Sequence, residues 1–356
     1  MTGSIISMTF HVTIERDSRG PGEDVIPGFE PLFDDPEVEI SFLADDRGPE
    51  LQPEDLQGAD AYCSYSHQLT AASLSDVTTL KIAARSGAGY DNFDLDAMTE
   101  HGVIATHAPR GPTASAAQAA TQMILSCAHN IPAHEHALRT EGWAGREQVE
   151  YGFELQNATL GFIGMGLIGS KVHENLVSFR EDGLETQVYD PYMSPERAAE
   201  LGIERVDRET LLATSDIVTI HVPLTEETHH MLGATDFERM KDSAFLVNTS
   251  RGGIYPDEQL AHALREDRIA GAAIDVFEDE SDAEGNPLLD IGDIQVTPHI
   301  AGPTKDGIRR MRRIMAESIL AVKHDEPPEN VLNPEAYEQR MGKPLPEECV
   351  SPSFRE

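Results

Sequence analysis

The stretch TLGFIGMGLIGSKV, residues 159–172, decides the fold of this 356-residue chain. Its centre, GMGLIG at residues 164–169, has the glycine spacing G-x-G-x-x-G. The apolar run Leu160–Ile163 before it predicts a buried strand, and Leu167–Phe179 after it predicts a helix. A strand that turns into a helix through three such glycines is typical of a dinucleotide-binding fold.

Each glycine of this turn has its own physical reason. Gly164 allows the tight strand-to-helix turn, Gly166 lets the backbone approach a pyrophosphate, and Gly169 lets the helix pack against the sheet. The start of the helix then presents free N–H groups and the positive end of its dipole to the phosphates. The sequence therefore predicts a dinucleotide cofactor at this turn.

Asp190 indicates which dinucleotide to expect. A second short strand, Gln187–Tyr189, leads into this acid, 21 residues after Gly169. The carboxylate can accept hydrogen bonds from both ribose hydroxyls of an adenosine, and its charge would repel a 2′-phosphate. No arginine or lysine occurs at residues 191–193, so we predict NAD over NADP. Because strand, helix and acid occur together, a glycine-rich turn with an incidental acid is the weaker interpretation.

Two series of predicted strands indicate an α/β fold with two Rossmann-like domains, each built on a doubly wound parallel sheet. The first series is Phe10–Ile14, Val38–Phe42, Asp60–Cys63, Lys81–Ala84 and Val103–Thr106. The second is Leu160–Ile163, Gln187–Tyr189, Ile217–His221, Ala244–Asn248, Gly271–Val276 and Ile294–Thr297. Because the glycine turn begins only near residue 160, we expect the cofactor domain to be inserted into the other domain.

The predicted boundaries follow from this order. We predict one domain from residues 1–107 and 303–332, a cofactor domain from residues 108–302, and a tail from residues 333–356. An alanine-rich helix, Ala114–Ile131, is expected to end at Pro132, and a helix at Thr304–Lys323 to return to the first domain. The tail is rich in proline and glutamate, which predicts a loosely ordered segment.

The charge of the chain is extreme and excludes several classes of partner. Asp and Glu number 63 against 27 Lys and Arg, a formal net charge of −36. Nucleic acid and anionic membranes should repel such a chain. We find no apolar run of about 18 residues and no secretory signal, so we expect no membrane span. The three cysteines are widely scattered, which favours a reduced cytoplasm over a disulfide framework.

Three ionisable residues follow strands of the predicted cofactor domain: Arg251, Glu280 and His299. The carboxyl ends of parallel strands share one edge of a sheet, so we expect these side chains at the same edge. A guanidinium can hold a substrate carboxylate and polarise a ketone, a histidine can donate the proton that the alkoxide needs, and a carboxylate can orient the histidine. Each residue alone has an equally plausible reading as a surface or turn residue. Their joint placement favours hydride transfer between a nicotinamide and a 2-oxo acid.

Asp275 and two pairs of histidines are candidates for other roles. Asp275 is a candidate for holding the carboxamide of the nicotinamide. His134 and His136 lie two residues apart and do not share a helix face, and the pair His229–His230 lacks a third ligand at suitable spacing in the sequence. We therefore predict no metal ion.

From about residue 61 to residue 333 the chain resembles the D-isomer-specific 2-hydroxyacid dehydrogenase family, and seven motifs carry the resemblance. They are GAGYDN at 87–92, the glycine turn, YDP at 189–191, HVPLT at 221–225, NTSRGG at 248–253, GAAIDVF at 271–277 and TPHIAG at 297–302. The resemblance implies that the N-terminal segment and the last helix form a substrate domain, and that Arg251, Glu280 and His299 are catalytic. It also implies a homodimer paired through the nucleotide domains.

The resemblance implies further contacts with cofactor and substrate. Those expected to contact NAD are Gly164, Gly166, Leu167, Ile168, Gly169, Asp190, His221, Pro223, Thr249, Ser250, Arg251, Asp275, His299 and Gly302. Those expected to contact the substrate, a small D-2-hydroxy acid or 2-oxo acid, are Ser86, Gly87, Ala88 and Arg251.

The chain also departs from the family pattern. Where the family often has Glu-Pro-Glu-Pro, this chain has EDES at residues 278–281, so Glu278 is a rival to Glu280 as the partner of His299. Ser64, His107 and Gln118 also differ from residues common in the family, which leaves the substrate open. Two alternatives therefore stay open: a non-catalytic NAD-sensing regulator on the same scaffold, and 3-phosphoglycerate dehydrogenase.

The acidic composition predicts a halophilic protein. High salt screens the repulsion among acidic side chains that would loosen the fold at low ionic strength. We expect the protein to be fully folded and fully active in molar KCl. The far-UV circular dichroism signal of the folded state and the enzymatic activity should both decline as the salt is removed. Full structure and activity at low salt would contradict this expectation.

Overall fold

The computed structural model describes residues 9–15, 26–44, 48–281 and 284–352. The chain divides into two compact units: unit 1, Met1–Pro112 with Pro303–Glu356, and unit 2, Thr113–Gly302. Unit 2 is therefore inserted into unit 1. The first division lies at residue 112, against 107 in the sequence-based prediction. Within the described ranges, no helix is long and apolar enough to cross a membrane.

Unit 1 is built on a five-stranded parallel sheet with the strand order β2-β1-β3-β4-β5, which is a doubly wound order. The strands are β1 Phe10–Ile14, β2 Val38–Phe42, β3 Ala61–Ser64, β4 Ile82–Arg85 and β5 Ile104–His107. The helices are α1 Glu30–Phe33, α2 Pro53–Leu56, α3 Ala71–Leu74, α4 Leu95–Glu100 and, after unit 2, α13 Lys305–Lys323 and α14 Pro334–Met341.

Alternate residues of these strands enter two different cores. Val12 and Cys63 pack with Met315 of α13 on one face of the sheet. Tyr62 and Ala83 pack with the short helices α2–α4 on the other face. Because side chains of a strand point alternately to opposite faces, a strand covered on both sides is apolar along its whole length.

Unit 2 is built on a seven-stranded parallel sheet with the order β12-β11-β10-β9-β6-β7-β8. The strands are β6 Thr159–Ile163, β7 Glu185–Tyr189, β8 Glu204–Arg205, β9 Ile217–Ile220, β10 Phe245–Asn248, β11 Gly271–Ile274 and β12 Gln295–Val296. The helices are α5 Thr113–Ala128, α6 Ile131–Glu141, α7 Leu167–Asn175, α8 Val177–Glu181, α9 Pro195–Leu201, α10 Arg208–Thr214, α11 Ala234–Phe237 and α12 Asp257–Arg265. The sequence predicted six strands. It missed β8, which is two exposed residues long and has no apolar pattern.

The centre of this sheet is buried on both faces. Phe162 and Val247 belong to a core that includes residues of α5 and α7. Ile163 and Leu246 belong to the core on the opposite face, which includes residues of α10 and α12. β6 lies between β7 and β9, with Ile163 in register with the last residue of each. The loop that follows β6 therefore lies between the loops that follow its two neighbours.

The alanine-rich helix differs from its prediction. It ends at Ala128 and not at Ile131. Asn130 adopts a left-handed φ of 49°, and Pro132 lies in the first turn of the next helix, α6. Proline is tolerated there because the first N–H groups of a helix have no partner within it. Pro132 therefore starts a helix where the sequence analysis expected it to end one.

The segment after Asn333 is folded, and the expectation of a loosely ordered tail was wrong for residues up to 352. α14 buries Tyr337 completely. Val331 forms bridges to Thr106 and to Val350, so this part of the chain runs beside β5. The prediction failed because composition indicated disorder, whereas a few buried apolar residues fix the segment to unit 1.

Candidate functional site

The glycine turn joins β6 to α7. Gly164 has a φ of +86°, and a side chain there would place its Cβ 2.6 Å from Cγ1 of Val222. A Cβ on Gly169 would lie 2.8 Å from the carbonyl oxygen of Gly164, whereas a Cβ on Gly166 would meet none of the described atoms within 4 Å. The first and third glycines are thus needed by the fold, and the second leaves open space at the exposed start of α7.

Asp190 follows β7 and contacts this turn. Its Oδ2 accepts a hydrogen bond of 2.9 Å from the N–H of Met165, and its Oδ1 accepts one of 3.0 Å from the N–H of Tyr192. Arg205 of β8 lines the same surface cavity as Asp190. Arg205 lies 15 residues after Asp190 in the sequence, so the residues directly after Asp190 give no sign of this cation. The short strand β8 places it at the same cavity.

Two buried polar atoms at the neighbouring strand ends have no hydrogen-bond partner among the described residues: Nδ1 of His221 and Oγ1 of Thr249. His221 follows β9, and its Nε2 lies 3.0 Å from Oγ1 of Thr219. Burial lowers the pKa of His221 to about 3, so the imidazole is neutral at physiological pH. Buried polar groups are normally hydrogen-bonded. Two unpaired atoms at this edge therefore fit a site that a polar ligand completes.

Asn248, the last residue of β10, builds the turn that carries residues 249–251. Its Oδ1 accepts hydrogen bonds from the N–H and the Oγ of Ser250, at 2.9 and 2.8 Å. Its Nδ2 donates to the carbonyl oxygen of Arg251 at 2.8 Å. The half-buried Arg251 side chain donates from Nη1 to the carbonyl oxygen of Ser250 at 2.7 Å. Asn248, which is fully buried, thus fixes the backbone from which the guanidinium projects.

Asp275 follows β11 and has no exposed surface. Its Oδ1 accepts hydrogen bonds from Oγ1 of Thr297 at 2.6 Å and from the N–H of Ile300 at 2.8 Å. Its Oδ2 accepts one from the N–H of Ala301 at 2.9 Å, and its backbone carbonyl accepts one from the N–H of His299 at 2.8 Å. All four donors belong to one short loop, so Asp275 holds the loop that carries His299. Its contact with the nicotinamide stays a prediction.

His299 and Glu280 lie in direct contact. Nδ1 of His299 is 2.8 and 2.9 Å from the two carboxylate oxygens of Glu280. A carboxylate accepts hydrogen bonds, so the hydrogen lies on Nδ1, and Nε2 is left for another group. Both side chains are 44% exposed. They line a cavity together with Phe277, Leu289 and Val296.

Glu278, the rival acid, has a different partner. Its Oε1 lies 2.6 Å from Nε2 of His230. The two acids between which the sequence left a choice are therefore paired with two different histidines. Arg251 lies on a separate loop, the one after β10.

In unit 1, the loop Ser86–Ala88 follows β4, and Gly87 has a left-handed φ of +106°. His107 donates from Nδ1 to the carbonyl oxygen of Ala88 at 2.8 Å, and its Nε2 accepts from Oγ of Ser351 at 2.6 Å. Burial lowers the pKa of His107 to about 4, which leaves Nε2 able to accept at neutral pH. His107, one of the departures from the family pattern, therefore holds this loop together with the C-terminal segment.

The remaining residues predicted to contact NAD lie in unit 2. Leu167 and Ile168 form the first turn of α7, Pro223 lies in the loop after β9, and Gly302 follows the loop that carries His299. Leu167 and Pro223 are exposed, and Ile168 and Gly302 are half-buried.

Comparison with known proteins identifies the family. The model of "D-isomer specific 2-hydroxyacid dehydrogenase, NAD binding domain" matches residues 121–301. The chain is 35% identical over 289 residues to glyoxylate reductase of Aeropyrum pernix, a match that covers 80% of this chain and 85% of that protein. The chain belongs to the D-isomer specific 2-hydroxyacid dehydrogenase family. Unit 2 is the NAD-binding domain of this family member.

Two further similarities concern length and fold. The chain is 38% identical over 254 residues to D-3-phosphoglycerate dehydrogenase of Archaeoglobus fulgidus, which covers 71% of this chain but 47% of that protein. The chain thus spans about half the length of that relative. D-Lactate dehydrogenase of Aquifex aeolicus, complexed with NAD and lactic acid, has a TM-score of 0.75 at 28% identity, covering 88% of this chain and 95% of that one. The predicted fold class and the resemblance to the dehydrogenase family are confirmed.

Two glycine variants separate the folding role of the turn from its binding role. We expect Gly164→Ala to lower the free energy of unfolding by at least ~1–2 kcal/mol, because a non-glycine residue is strained at positive φ and its Cβ would crowd Val222. We expect Gly166→Ala to keep the stability of the wild type but to weaken NADH binding by ~10-fold or more, or about 1.4 kcal/mol. Urea unfolding and fluorescence titration with NADH measure the two effects. Wild-type NADH affinity in Gly166→Ala would contradict the assignment.

Proposed function

We propose that this protein is an NAD-dependent oxidoreductase that transfers a hydride between nicotinamide and a small D-2-hydroxy acid or 2-oxo acid. The observation that carries the proposal is the contact of 2.8 Å between Nδ1 of His299 and the carboxylate of Glu280, on loops of the NAD-binding domain. This pair supplies an oriented general acid and base, which hydride transfer to a ketone requires.

The residues of unit 2 fit the cofactor. The open backbone at Gly166 and the N–H groups at the start of α7 suit the pyrophosphate. Asp190 contacts that turn, and we propose that its carboxylate accepts hydrogen bonds from ribose hydroxyls. The unpaired atoms of His221 and Thr249 are available to further polar groups of the dinucleotide. When bound, NADH supplies the hydride.

His299 manages the proton in this proposal. In the reducing direction, Nε2 of His299 would donate a proton to the oxygen on C2 of the 2-oxo acid, the carbon that receives the hydride. Glu280 fixes the imidazole through Nδ1, so that Nε2 is the nitrogen that exchanges the proton.

Arg251 and the loop Ser86–Ala88 are the proposed substrate-binding groups. A guanidinium is always charged and presents its donors in a fixed planar fork, which suits a carboxylate beside a carbonyl. The backbone of Ser86–Ala88, held by His107, is proposed to supply N–H groups to the substrate carboxylate, as the family resemblance implies.

A phosphorylated 2-hydroxy acid is the second candidate substrate. The similarity to D-3-phosphoglycerate dehydrogenase of Archaeoglobus fulgidus favours it, as does the position of Arg85. Nη1 of Arg85 lies 3.7 Å from where a Cβ on Gly87 would be, so a cation stands beside the proposed carboxylate-binding loop. The acidity of the whole chain disfavours a phosphate, and the substrate screen described below compares the two substrates directly.

We further propose that the protein is cytoplasmic and forms a homodimer through unit 2. The α6 region of unit 2 supports the dimer, because large apolar side chains are exposed there: Ile131, Leu138, Trp143 and Tyr151. The three cysteines are buried and scattered along the chain, which suits a reducing compartment. Light scattering that returns the mass of a single chain, 39.0 kDa, would contradict the dimer.

A substrate screen tests the proposed function. Glyoxylate, hydroxypyruvate, pyruvate and the 2-oxo acid derived from 3-phosphoglycerate are each incubated with NADH or NADPH in high salt, and loss of cofactor absorbance is followed. We expect turnover of at least one 2-oxo acid, faster with NADH than with NADPH. Tight NADH binding without turnover of any of them would instead support an NAD-sensing regulator.

Variants of the two acids, of His299 and of Arg251 test the assigned roles. We expect Glu280→Gln, His299→Ala and Arg251→Ala each to lower turnover by about 10²–10⁴-fold, the range that a general acid or base contributes, with NADH affinity largely retained. Glu278→Gln is the matched control for Glu280→Gln, because it removes the same charge two residues away. A larger loss of turnover in Glu278→Gln than in Glu280→Gln would exchange the roles of the two acids.

A further inference from the structure

Three metal-ligating side chains other than His299 and Glu280 converge in unit 2. One imidazole nitrogen each of His229 and His230 and a carboxylate oxygen of Glu278 all lie within 4.8 Å of one another, and all three residues are exposed. The two imidazole rings are stacked, with centroids 3.8 Å apart. The sequence predicts no metal ion here, because it offers no third ligand near these histidines along the chain. The fold supplies one from 48 residues further along the chain.

The backbone holds the two histidines in place. The N–H of His229 donates to the carbonyl oxygen of Thr225 at 2.8 Å, which closes a turn after β9. The N–H of His230 donates to the carbonyl oxygen of Gly253 at 2.8 Å, and His230 adopts a left-handed φ of 52°. Consecutive residues of an extended strand would point to opposite sides. The left-handed residue therefore helps to put two adjacent imidazoles on the same side of the chain.

A separate anchor holds the acid. The N–H of Glu278 donates to Oδ2 of the buried Asp257 at 3.0 Å, and the same oxygen accepts a hydrogen bond of 2.7 Å from Nδ2 of Asn286. The three ligand-bearing residues are thus fixed by their backbones, and their side chains are free to adjust around an ion. Little ordering of the backbone is needed for binding, which favours affinity.

The donor set determines the kind of ion. Imidazole nitrogen suits Zn²⁺, Cu²⁺ and Ni²⁺, whereas Mg²⁺ and Ca²⁺ prefer sites made of oxygen ligands only. Two imidazoles and one carboxylate form a three-ligand set that leaves further positions for water. The formal charge of −36 also raises the local concentration of cations at the surface. We propose that His229, His230 and Glu278 form a binding site for a divalent transition metal such as Zn²⁺.

The site is distinct from the proposed catalytic pair. Its acid is Glu278 and its histidines come from the loop after β9, whereas Glu280 contacts His299. Metal binding here is therefore an additional property of the NAD-binding domain and does not depend on the proposed reaction.

Zinc titration of the full chain, prepared without a histidine tag, tests the proposal. Isothermal titration calorimetry of the metal-free protein is expected to give one Zn²⁺ per chain. Co²⁺ is expected to give a visible absorption band that Zn²⁺ displaces. Loss of an outer-sphere partner costs a metal site about 10–100-fold in affinity, so loss of direct ligands in His229→Ala/His230→Ala should weaken binding by at least ~10-fold. Glu278→Gln should also weaken it.

The chain offers a matched control. His134→Ala/His136→Ala also removes two imidazoles that are close in sequence, and these residues lie on α6, outside the cluster. This control is expected to bind Zn²⁺ like the wild type. The proposal is overturned if the wild type binds no more Zn²⁺ than His229→Ala/His230→Ala, or if the control loses as much affinity as that variant.

Discussion

The carboxylate of Asp275 is the constraint on which the proposed active site depends. It is fully buried, and each of its hydrogen-bond donors comes from the loop after β12. A buried carboxylate is costly unless donors surround it, so the loop and the carboxylate stabilise each other. The loop is folded around this group, with its N–H and hydroxyl donors turned toward the carboxylate. That conformation puts His299 in a left-handed backbone geometry, with its imidazole against Glu280.

Other buried polar side chains also fix loops along the carboxyl edge of the unit 2 sheet. Asn248 fixes the turn that carries Arg251, and Asp257 fixes the backbone of Glu278. Gly252 has no side chain, which allows the loop after β10 to pass directly beside the backbone of Phe277 in the loop after β11. Buried polar side chains thus set the loops, and the exposed side chains on those loops are left to bind ligands. Rigid support of this kind is what accurate positioning of catalytic groups requires.

Much of this could be predicted from the sequence, and the exceptions share a cause. Buried parallel strands are apolar along their length, so most of the strands could be located from the sequence pattern alone. The glycine turn could also be located in this way, because its residues are consecutive. The family resemblance implied Glu280, the acid that contacts His299. What could not be predicted depends on contacts between residues far apart in sequence. Arg205 lines the same cavity as Asp190, Glu278 is hydrogen-bonded to His230, and Ser351 is hydrogen-bonded to His107. The composition of the C-terminal segment wrongly predicted a loosely ordered tail. Burial of Tyr337 holds the segment in place although most of its residues are polar.

The central claim is that Asp275 acts by positioning His299, and the kinetics of Asp275→Asn test it most directly. An amide in this place would put N–H groups against a backbone N–H donor and shift the loop. A displacement of ~1 Å at a catalytic group costs about 100-fold in rate, so we expect kcat at saturating NADH to fall by about that factor. The dissociation constant of NADH, measured by fluorescence, should stay close to that of the wild type. An unchanged kcat accompanied by greatly weakened NADH binding would contradict the account and assign Asp275 to the cofactor instead.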